Sequence, residues 1–335
     1  MIRVVLREEV VADLKKLSYI FGFFLLFACN ERTEKEVIVD NKQGELAVEQ
    51  PALIILGNVQ DAGSPHAGCD KECCRNLFKD PDPDRRVVAL GLIDPGTGKQ
   101  FLFEATPDLP IQMKALNRLA ASDKEVPDGI FLTHAHIGHY AGLMYLGKES
   151  MYSDKVPVYA MPRMKSFLEK NGPWDILISN QNMVINELSD GKAVKLSADI
   201  TVTPFLVPHR DEYSETVGYK IKGPNKTVLF IPDIDKWEKW DQSITEILKE
   251  VDFALIDGTF YDGDELPNRD ISEVPHPFII ESLNLFDSLS MEERSKIYFI
   301  HFNHTNPLLI PESPQSKKVE NEGYHIARLN DLINI

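Results

Sequence analysis

Three histidines follow a single apolar run near the middle of the chain. Residues 129–133 read Gly-Ile-Phe-Leu-Thr, which predicts a buried strand. His134, His136 and His139 come next, and a strand end followed by the first turn of a helix can point all three inwards. Neutral imidazole is the commonest protein ligand of zinc and similar metals. Unrelated histidines are a poor alternative because the chain has only nine, so the stretch predicts a metal site at a strand-to-helix junction.

Strand and helix patterns are mixed along the rest of the chain. Short apolar runs predict strands at 52–56, 86–93, 100–104, 129–133, 156–160, 200–207, 216–221, 227–231, 253–257 and 296–301. Helical patterns cover 109–121, 139–147, 161–169, 243–250, 277–288 and 315–320. Because strands meet both helices and other strands directly, we expect a mixed α/β architecture with two sheets and helices on the outside.

The overall charge limits the class of partner. The chain has 335 residues, a formal net charge of −16 and a pI near 5.0. Nucleic-acid binding generally needs a surface rich in lysine and arginine. We therefore expect a small-molecule substrate and no nucleic-acid partner, while the oligomeric state is not predicted.

An apolar segment near the N-terminus is typical of an export signal. Lys15 and Lys16 precede about a dozen mostly apolar residues that end at Cys29, a length too short for an ordinary transmembrane helix. The segment resembles a bacterial lipoprotein signal in which Cys29 carries the lipid. It predicts a signal peptide at 1–29, a disordered tether at 30–50 and a folded domain at 51–335. The protein would then be exported and held to a bacterial membrane, on the periplasmic side, only by that lipid; a buried amphipathic helix is the alternative.

Further polar residues stand alone after predicted strands. His209, Asp233 and His301 each follow one. Taken singly, such a histidine is more often structural and such an aspartate more often a helix N-cap than a metal ligand. Loops at strand ends carry function because the scaffold beneath them is rigid. We therefore expect these side chains and the histidine stretch to meet at one edge of the sheets.

The order of these residues resembles that of the metallo-β-lactamase superfamily. The resemblance covers 51–307 and depends on the histidine stretch, His209, Asp233 and the segment 301–307. It implies an α/β fold, a single-domain four-layer αββα sandwich. It also implies two metal positions, the first held by His134, His136 and His209, the second by His139 and a late histidine, with Asp233 bridging them.

Two loop segments narrow the resemblance within the superfamily. Residues 56–69 and 301–307 are similar to the branch that contains pyrroloquinoline quinone biosynthesis protein B. Within the second segment, His301 is the expected late ligand because it ends a predicted strand. His304 is its competitor and a candidate proton donor.

One position departs from the superfamily pattern. The usual HxHxDH motif has an aspartate where this chain has Gly138, and glycine offers no ligand atom. A single-metal or asymmetric site is therefore an alternative to two equal metals. Three protein ligands with an open position are typical of catalytic zinc, which generates hydroxide from bound water and polarises the substrate oxygen. Without a carboxylate at Gly138, Asp233 and Asp61 are the candidate bases.

A second metal site is predicted where three cysteines lie close together. The candidate ligands are Cys69, Cys73, Cys74 and, as the local fourth, His66. His276 or His325 could replace His66, and free thiols or a disulfide are alternatives. If Cys29 carries lipid, the odd number of remaining cysteines disfavours complete disulfide pairing. The resembling branch also carries a cysteine-held zinc here, which favours a structural zinc.

Three functions follow as hypotheses. The first is a metal-dependent hydrolase with one or two zinc ions at the histidines, cleaving an ester, thioester, lactone, amide or phosphodiester. The second is an iron-dependent, oxygen-using enzyme in the manner of the B protein. The third is a non-catalytic metal-binding protein of the same fold.

Overall fold

Two mixed β-sheets lie face to face at the centre of the fold. The computed structural model describes residues 48–267 and 269–335. The strands are β1 (Ala52–Gly57), β2 (Ala89–Asp94), β3 (Lys99–Phe103), β4 (Gly129–Phe131), β5 (Val156–Ala160), β6 (Met183–Glu187), β7 (Val194–Lys195), β8 (Thr201–Leu206), β9 (Val217–Lys222), β10 (Thr227–Ile231), β11 (Phe253–Asp257), β12 (Ile297–Ile300), β13 (His325–Ile326) and β14 (Leu332–Asn334). The predicted signal peptide with Cys29, and most of the predicted tether, lie outside the described residues.

The two sheets have matching topologies. The first has the order β14-β1-β2-β3-β4-β5-β6 and the second the order β13-β12-β11-β10-β9-β8-β7. Strands β3 to β6 are parallel neighbours in the first sheet, and β10 to β13 are parallel neighbours in the second. Parallel strands end at a common edge, so the loops after β3, β4, β10, β11 and β12 are brought together there.

Apolar residues on both faces of the central strands explain the layering. In β1, Leu53 and Ile55 pack into the core between the sheets, while Ile54 and Leu56 face the opposite way, into a second core under helices. All six residues of β1 are buried because both faces of this sheet are covered. Burying each such side chain contributes about 1.5–3 kcal/mol.

Helices cover the outer face of each sheet. The α-helices are α1 (Glu72–Arg75), α2 (Leu109–Leu119), α3 (Ile137–Tyr140), α4 (Pro162–Lys170), α5 (Trp174–Ser179), α6 (Ile244–Ile247), α7 (Ile279–Leu285), α8 (Met291–Arg294) and α9 (Pro314–Asn321). Short 3₁₀ helices span Ala141–Leu146, Trp237–Lys239, Leu248–Glu250, Gly263–Glu265, Ile271–Glu273 and Pro307–Leu309. Helices α2, α4 and α5 pack on the first sheet and α6, α7 and α9 on the second. The expected four-layer αββα sandwich is confirmed.

The strands that the sequence patterns missed are the edges of the sheets. β6, β7, β13 and β14 each end a sheet, and each carries exposed positions in place of a continuous apolar run. The predicted helix 139–147 is instead α3 followed by the 3₁₀ helix Ala141–Leu146. Among the described residues, no helix has the length and apolar character needed to span a bilayer.

Candidate metal centre

Three predicted histidines and Asp233 meet in what we call the first half-site, formed by His134, His136, His209 and Asp233. One ligand atom from each lies within 4.8 Å of the others. Asp233 Oδ2 is 3.3 Å from His134 Nε2 and 3.8 Å from His136 Nδ1, and Asp233 Oδ1 is 3.2 Å from His209 Nε2. Loops after β4, β8 and β10 bring these side chains to one point, as the strand-end pattern predicts.

A second half-site, formed by Asp61, His139, His301 and Asp233, lies directly beside the first. Asp61 Oδ1 is 3.3 Å from His139 Nε2 and 3.2 Å from His301 Nε2. Asp233 Oδ2 is 4.0 Å from His139 Nε2 and 3.9 Å from His301 Nε2. Asp233 therefore faces both half-sites. Asp61, expected as a base, stands among the candidate ligands.

Unpaired buried atoms show that this donor set fits a metal. Among the described residues, several ring nitrogens and one carboxylate oxygen of the first half-site are buried without a hydrogen-bond partner: His134 Nε2, His136 Nδ1, His209 Nδ1 and Nε2, and Asp233 Oδ1. Leaving buried polar atoms unpaired is costly, and native proteins rarely do so without a ligand or water. Imidazole nitrogens with a carboxylate suit zinc or iron.

A threonine fixes the tautomer of His134. The Thr133 hydroxyl donates to Glu104 Oε1 at 2.6 Å, and its oxygen lies 2.9 Å from His134 Nδ1. Because its one proton goes to the carboxylate, the hydroxyl accepts the Nδ1–H of His134. The lone pair of Nε2 is then left facing Asp233, the form that a metal requires.

The second half-site repeats this arrangement with other residues. The Thr259 hydroxyl donates to Asp257 Oδ1 at 2.7 Å and lies 2.8 Å from His301 Nδ1. By the same reasoning His301 donates from Nδ1 and presents Nε2 to Asp61. Asp257, Thr259 and Glu104 were not identified as site residues from the sequence. Their position at strand ends on the same edge of the sheets is the signal that could have identified them.

Strained backbone is found at two of these positions. Glu104 has φ of 79° and His301 has φ of 68°, values that L-residues rarely adopt. Such strain costs about 1–3 kcal/mol per residue and is concentrated at functional sites. Both side chains are fully buried, so the surrounding packing holds them in place.

Charges in the centre strongly perturb its titration. Burial opposes ionisation of Asp233, but His209, His276 and His301 outweigh it and hold the pKa of that carboxyl well below its ordinary value. Burial also opposes protonation of His139, yet Glu104 and Asp61 hold its pKa well above the usual range. Metal binding must therefore displace a proton from His139.

A third set of buried groups, around His276, extends the centre away from the two half-sites. His276 Nδ1 lies 2.9 Å from Asp257 Oδ2 and 3.2 Å from Asp233 Oδ1. Burial opposes its charge, but these two carboxylates raise the pKa of His276 to about 10. His276 also lines a cavity of about 580 Å³, together with Gln60 and Arg210. His276 thus contacts both this cavity and Asp233 of the centre, and the cavity has a volume typical of small-molecule sites.

The cysteine site, formed by Cys69, Cys73, Cys74 and His304, is a separate cluster with atoms within 4.8 Å of one another. The structure places His304 here, not His66 as predicted, because the chain turns back after His301 and carries His304 away from the centre. His66 instead packs against His304, with 4.5 Å between ring centroids and the rings tilted by 36°, and its backbone N–H donates to Cys74 Sγ at 3.3 Å.

The other predicted roles around this site also change. His304 lies among the thiols, so neither the late-ligand role nor the proton-donor role fits its position, and His301 is the late histidine of the centre. His276 belongs to the metal centre, and His325 is exposed and stacks on Tyr298. The three described cysteines are free thiols, so the disulfide alternative is not adopted.

Two loops connect the cysteine site to the second half-site. The loop after β1 carries Asp61 and the cysteines, and the loop after β12 carries His301 and His304. Backbone bonds join the loops, since the Gln60 N–H donates to the Phe302 carbonyl at 2.9 Å and the Phe302 N–H donates to the carbonyl of residue 58 at 2.7 Å. Each loop thus serves both sites.

Comparisons with known proteins agree with this fold. The family described as "Beta-lactamase superfamily domain" matches residues 92–302. Coenzyme PQQ synthesis protein B of Methylorubrum populi is 24% identical over 305 residues, covering 82% of this chain and 97% of that protein. Zn(2+)-bound PqqB from Methylobacterium extorquens has a TM-score of 0.67 at 20% identity, covering 85% of this chain and 100% of that one. A diphosphatase from the PhnP family has a TM-score of 0.59 at 19% identity, covering 84% and 96%.

Proposed function

Because the chain belongs to the metallo-β-lactamase superfamily and is PqqB-like, we propose that it is a metal-dependent hydrolase of a small molecule. The observation that carries the proposal is the set of buried, unpaired imidazole and carboxylate atoms beside a cavity of about 580 Å³. Zinc bound there would lower the pKa of a coordinated water towards neutrality and polarise the substrate oxygen.

The residues of the centre have separate tasks in this proposal. His134, His136 and His209 hold the ion of the first half-site, and Asp233, kept ionised by its histidine neighbours, orients the attacking water. His276 is tied through Nδ1 to carboxylates, which leaves Nε2 as its polar atom for a substrate in the cavity. Hydrolysis would then join the water oxygen to the carbonyl carbon or the phosphorus and break the bond from that atom to the leaving group, which would depart with one of the two protons of the water.

Turnover of a substrate panel tests the proposal. Zinc-loaded protein is assayed on generic esters, thioesters, lactones, amides and phosphodiesters, beside His134→Ala and the control His325→Ala, which changes an exposed histidine. We expect hydrolysis that His134→Ala lowers by at least about 100-fold, as for loss of a catalytic ligand, and that His325→Ala leaves unchanged.

Two other outcomes would refute hydrolysis. Iron in the purified protein together with oxygen-dependent turnover would favour the oxygen-using enzyme. A metal-replete protein that turns over nothing, and in which His134→Ala changes only stability, would be a non-catalytic metal-binding protein. Metal analysis precedes the assays because it decides which ion to supply.

We also propose that the cysteine site holds a structural zinc. The three sulfurs and a His304 nitrogen lie within 4.8 Å of one another. Burial, with Cys69 and Cys74 adding to the shift, raises the pKa of the Cys73 thiol to about 12, so its thiolate would form only beside a metal ion. Cys73→Ala should lower the zinc content by one ion per chain and reduce thermal stability. Unchanged zinc content in Cys73→Ala would refute this site.

A further inference from the structure

The missing carboxylate of the histidine motif has a replacement elsewhere in the chain. At Gly138 a β-carbon would lie 2.2 Å from Asp61 Cα and 2.3 Å from Asp61 Cβ. Ordinary carbon contacts are about 3.5–4.0 Å, so no side chain fits at 138 while Asp61 occupies its position. The space that a motif aspartate would use is filled by the loop after β1.

Asp61 presents its carboxylate to the ligands of the second half-site. Its Oδ1 lies 3.3 Å from His139 Nε2 and 3.2 Å from His301 Nε2. The side chain is 12% exposed. The other ring nitrogens of the two imidazoles face different groups, since His301 Nδ1 lies 2.8 Å from Thr259 Oγ1 and His139 Nδ1 lies 3.1 Å from Glu104 Oε1. One carboxylate oxygen thus lies opposite the Nε2 atoms of both imidazoles, the atoms that would face a metal, and this is the position of a ligand.

We propose that Asp61 is the second-site metal ligand and that Gly138 is the residue that admits it, an exchange of the carboxylate between two distant positions. The centre then holds two ions, with Asp233 between them. This inference rests on the proposed function only in using the same metal centre. It removes the reason to expect a single metal.

Metal content per chain tests the exchange without any substrate. Zinc-saturated protein is freed of loosely bound ions and compared with Asp61→Asn, which keeps the shape of the side chain, and with Gly138→Ala, which changes no ligand. Controls are Asp70→Asn, an exposed acid of the same loop, and Gly96→Ala, where the added carbon meets its nearest atom at 3.4 Å.

We expect each test variant to lose one ion per chain and its affinity for that ion to fall by at least about 100-fold, beyond the effect of losing an outer-shell partner. Gly138→Ala should cause this loss because the added β-carbon forces Asp61 to move by about 1 Å, more than the roughly 0.2 Å tolerance of a metal site. The control variants should keep the ion content of the natural protein. Substituting cobalt for zinc shows which site has lost its ion, because a thiolate-to-cobalt absorption band reports the cysteine site separately.

Several results would overturn the exchange. These are a single ion at the centre of the natural protein, an unchanged ion count in Asp61→Asn, or an unchanged count in Gly138→Ala. Circular dichroism of each metal-free variant identifies a general folding defect, and Asp61→Asn remains informative if Gly138→Ala does not fold. A metal-replete protein without hydrolytic activity would refute the proposed function and leave this assignment standing.

Discussion

Removing the Thr133 hydroxyl should weaken the first half-site although Thr133 is no ligand. Thr133→Val keeps the branched shape of the side chain but loses both hydrogen bonds of the hydroxyl, the one to Glu104 and the one from His134 Nδ1. The imidazole of His134 is then free to rotate or to carry its proton on Nε2. A protonated Nε2 cannot bind a metal.

The size of the effect follows from these two bonds. The bond to a carboxylate contributes about 1.5–3 kcal/mol and the bond from an imidazole about 0.5–1.5 kcal/mol. Metal-free Thr133→Val should therefore be less stable by about 2–4.5 kcal/mol. Outer-shell partners of ligating histidines contribute about 10–100-fold to metal affinity, which is about 1.4–2.7 kcal/mol of binding free energy.

Denaturant unfolding of the metal-free protein and zinc competition against a chelator measure the two quantities. Thr133→Ser keeps the hydroxyl and should retain most of the affinity. Thr203→Val is a control on β8, since the Thr203 side chain makes no hydrogen bond among the described residues. If Thr133→Val bound zinc as tightly as the natural protein, the tautomer argument would be wrong.

Three further predictions concern other parts of the protein. The pKa of His276 is raised from 6.5 to about 10, so its ion pairs stabilise the metal-free protein fully below pH 6.5 and lose that contribution as the pH rises to about 10. Chemical denaturation across this range should show the free energy of unfolding falling with pH, and His276→Asn should make that fall smaller. Glu104→Gln turns an amide towards His139 or Thr133 and should lower zinc affinity about 10–100-fold, measured by chelator competition; an unchanged affinity would contradict it. Cys29→Ser should abolish incorporation of labelled fatty acid in cells, and continued labelling would exclude the lipid anchor.

The parts of the site that follow strand ends could be predicted from the sequence. His134, His136, His209, Asp233 and His301 each come after an apolar run, and parallel strands bring such positions to one edge. The central strands were recognisable for the same reason, because both of their faces are buried. Edge strands could not be recognised, since their pairing depends on a neighbour and not on their own apolar pattern.

Contacts between distant loops were the part that the sequence could not specify. Asp61 is 78 residues from His139, and no spacing rule relates a loop aspartate to a glycine in a helix. The same limit explains the choice of His66 over His304, because proximity along the chain was the only available guide. In the folded protein, the turn after His301 places His304 beside the thiols.

The loops that join the cysteine site to the second half-site imply an order of metal loading. Asp61 and His301 lie on the two loops that also carry the cysteines and His304, and backbone hydrogen bonds join these loops. Loss of the zinc proposed for the cysteine site would therefore loosen the support of both side chains. The first half-site takes its histidines from the ends of β4 and β8 and does not need that scaffold. We expect zinc scarcity to empty the centre in steps, with the ion beside Asp61 lost first and the one beside His209 retained longest.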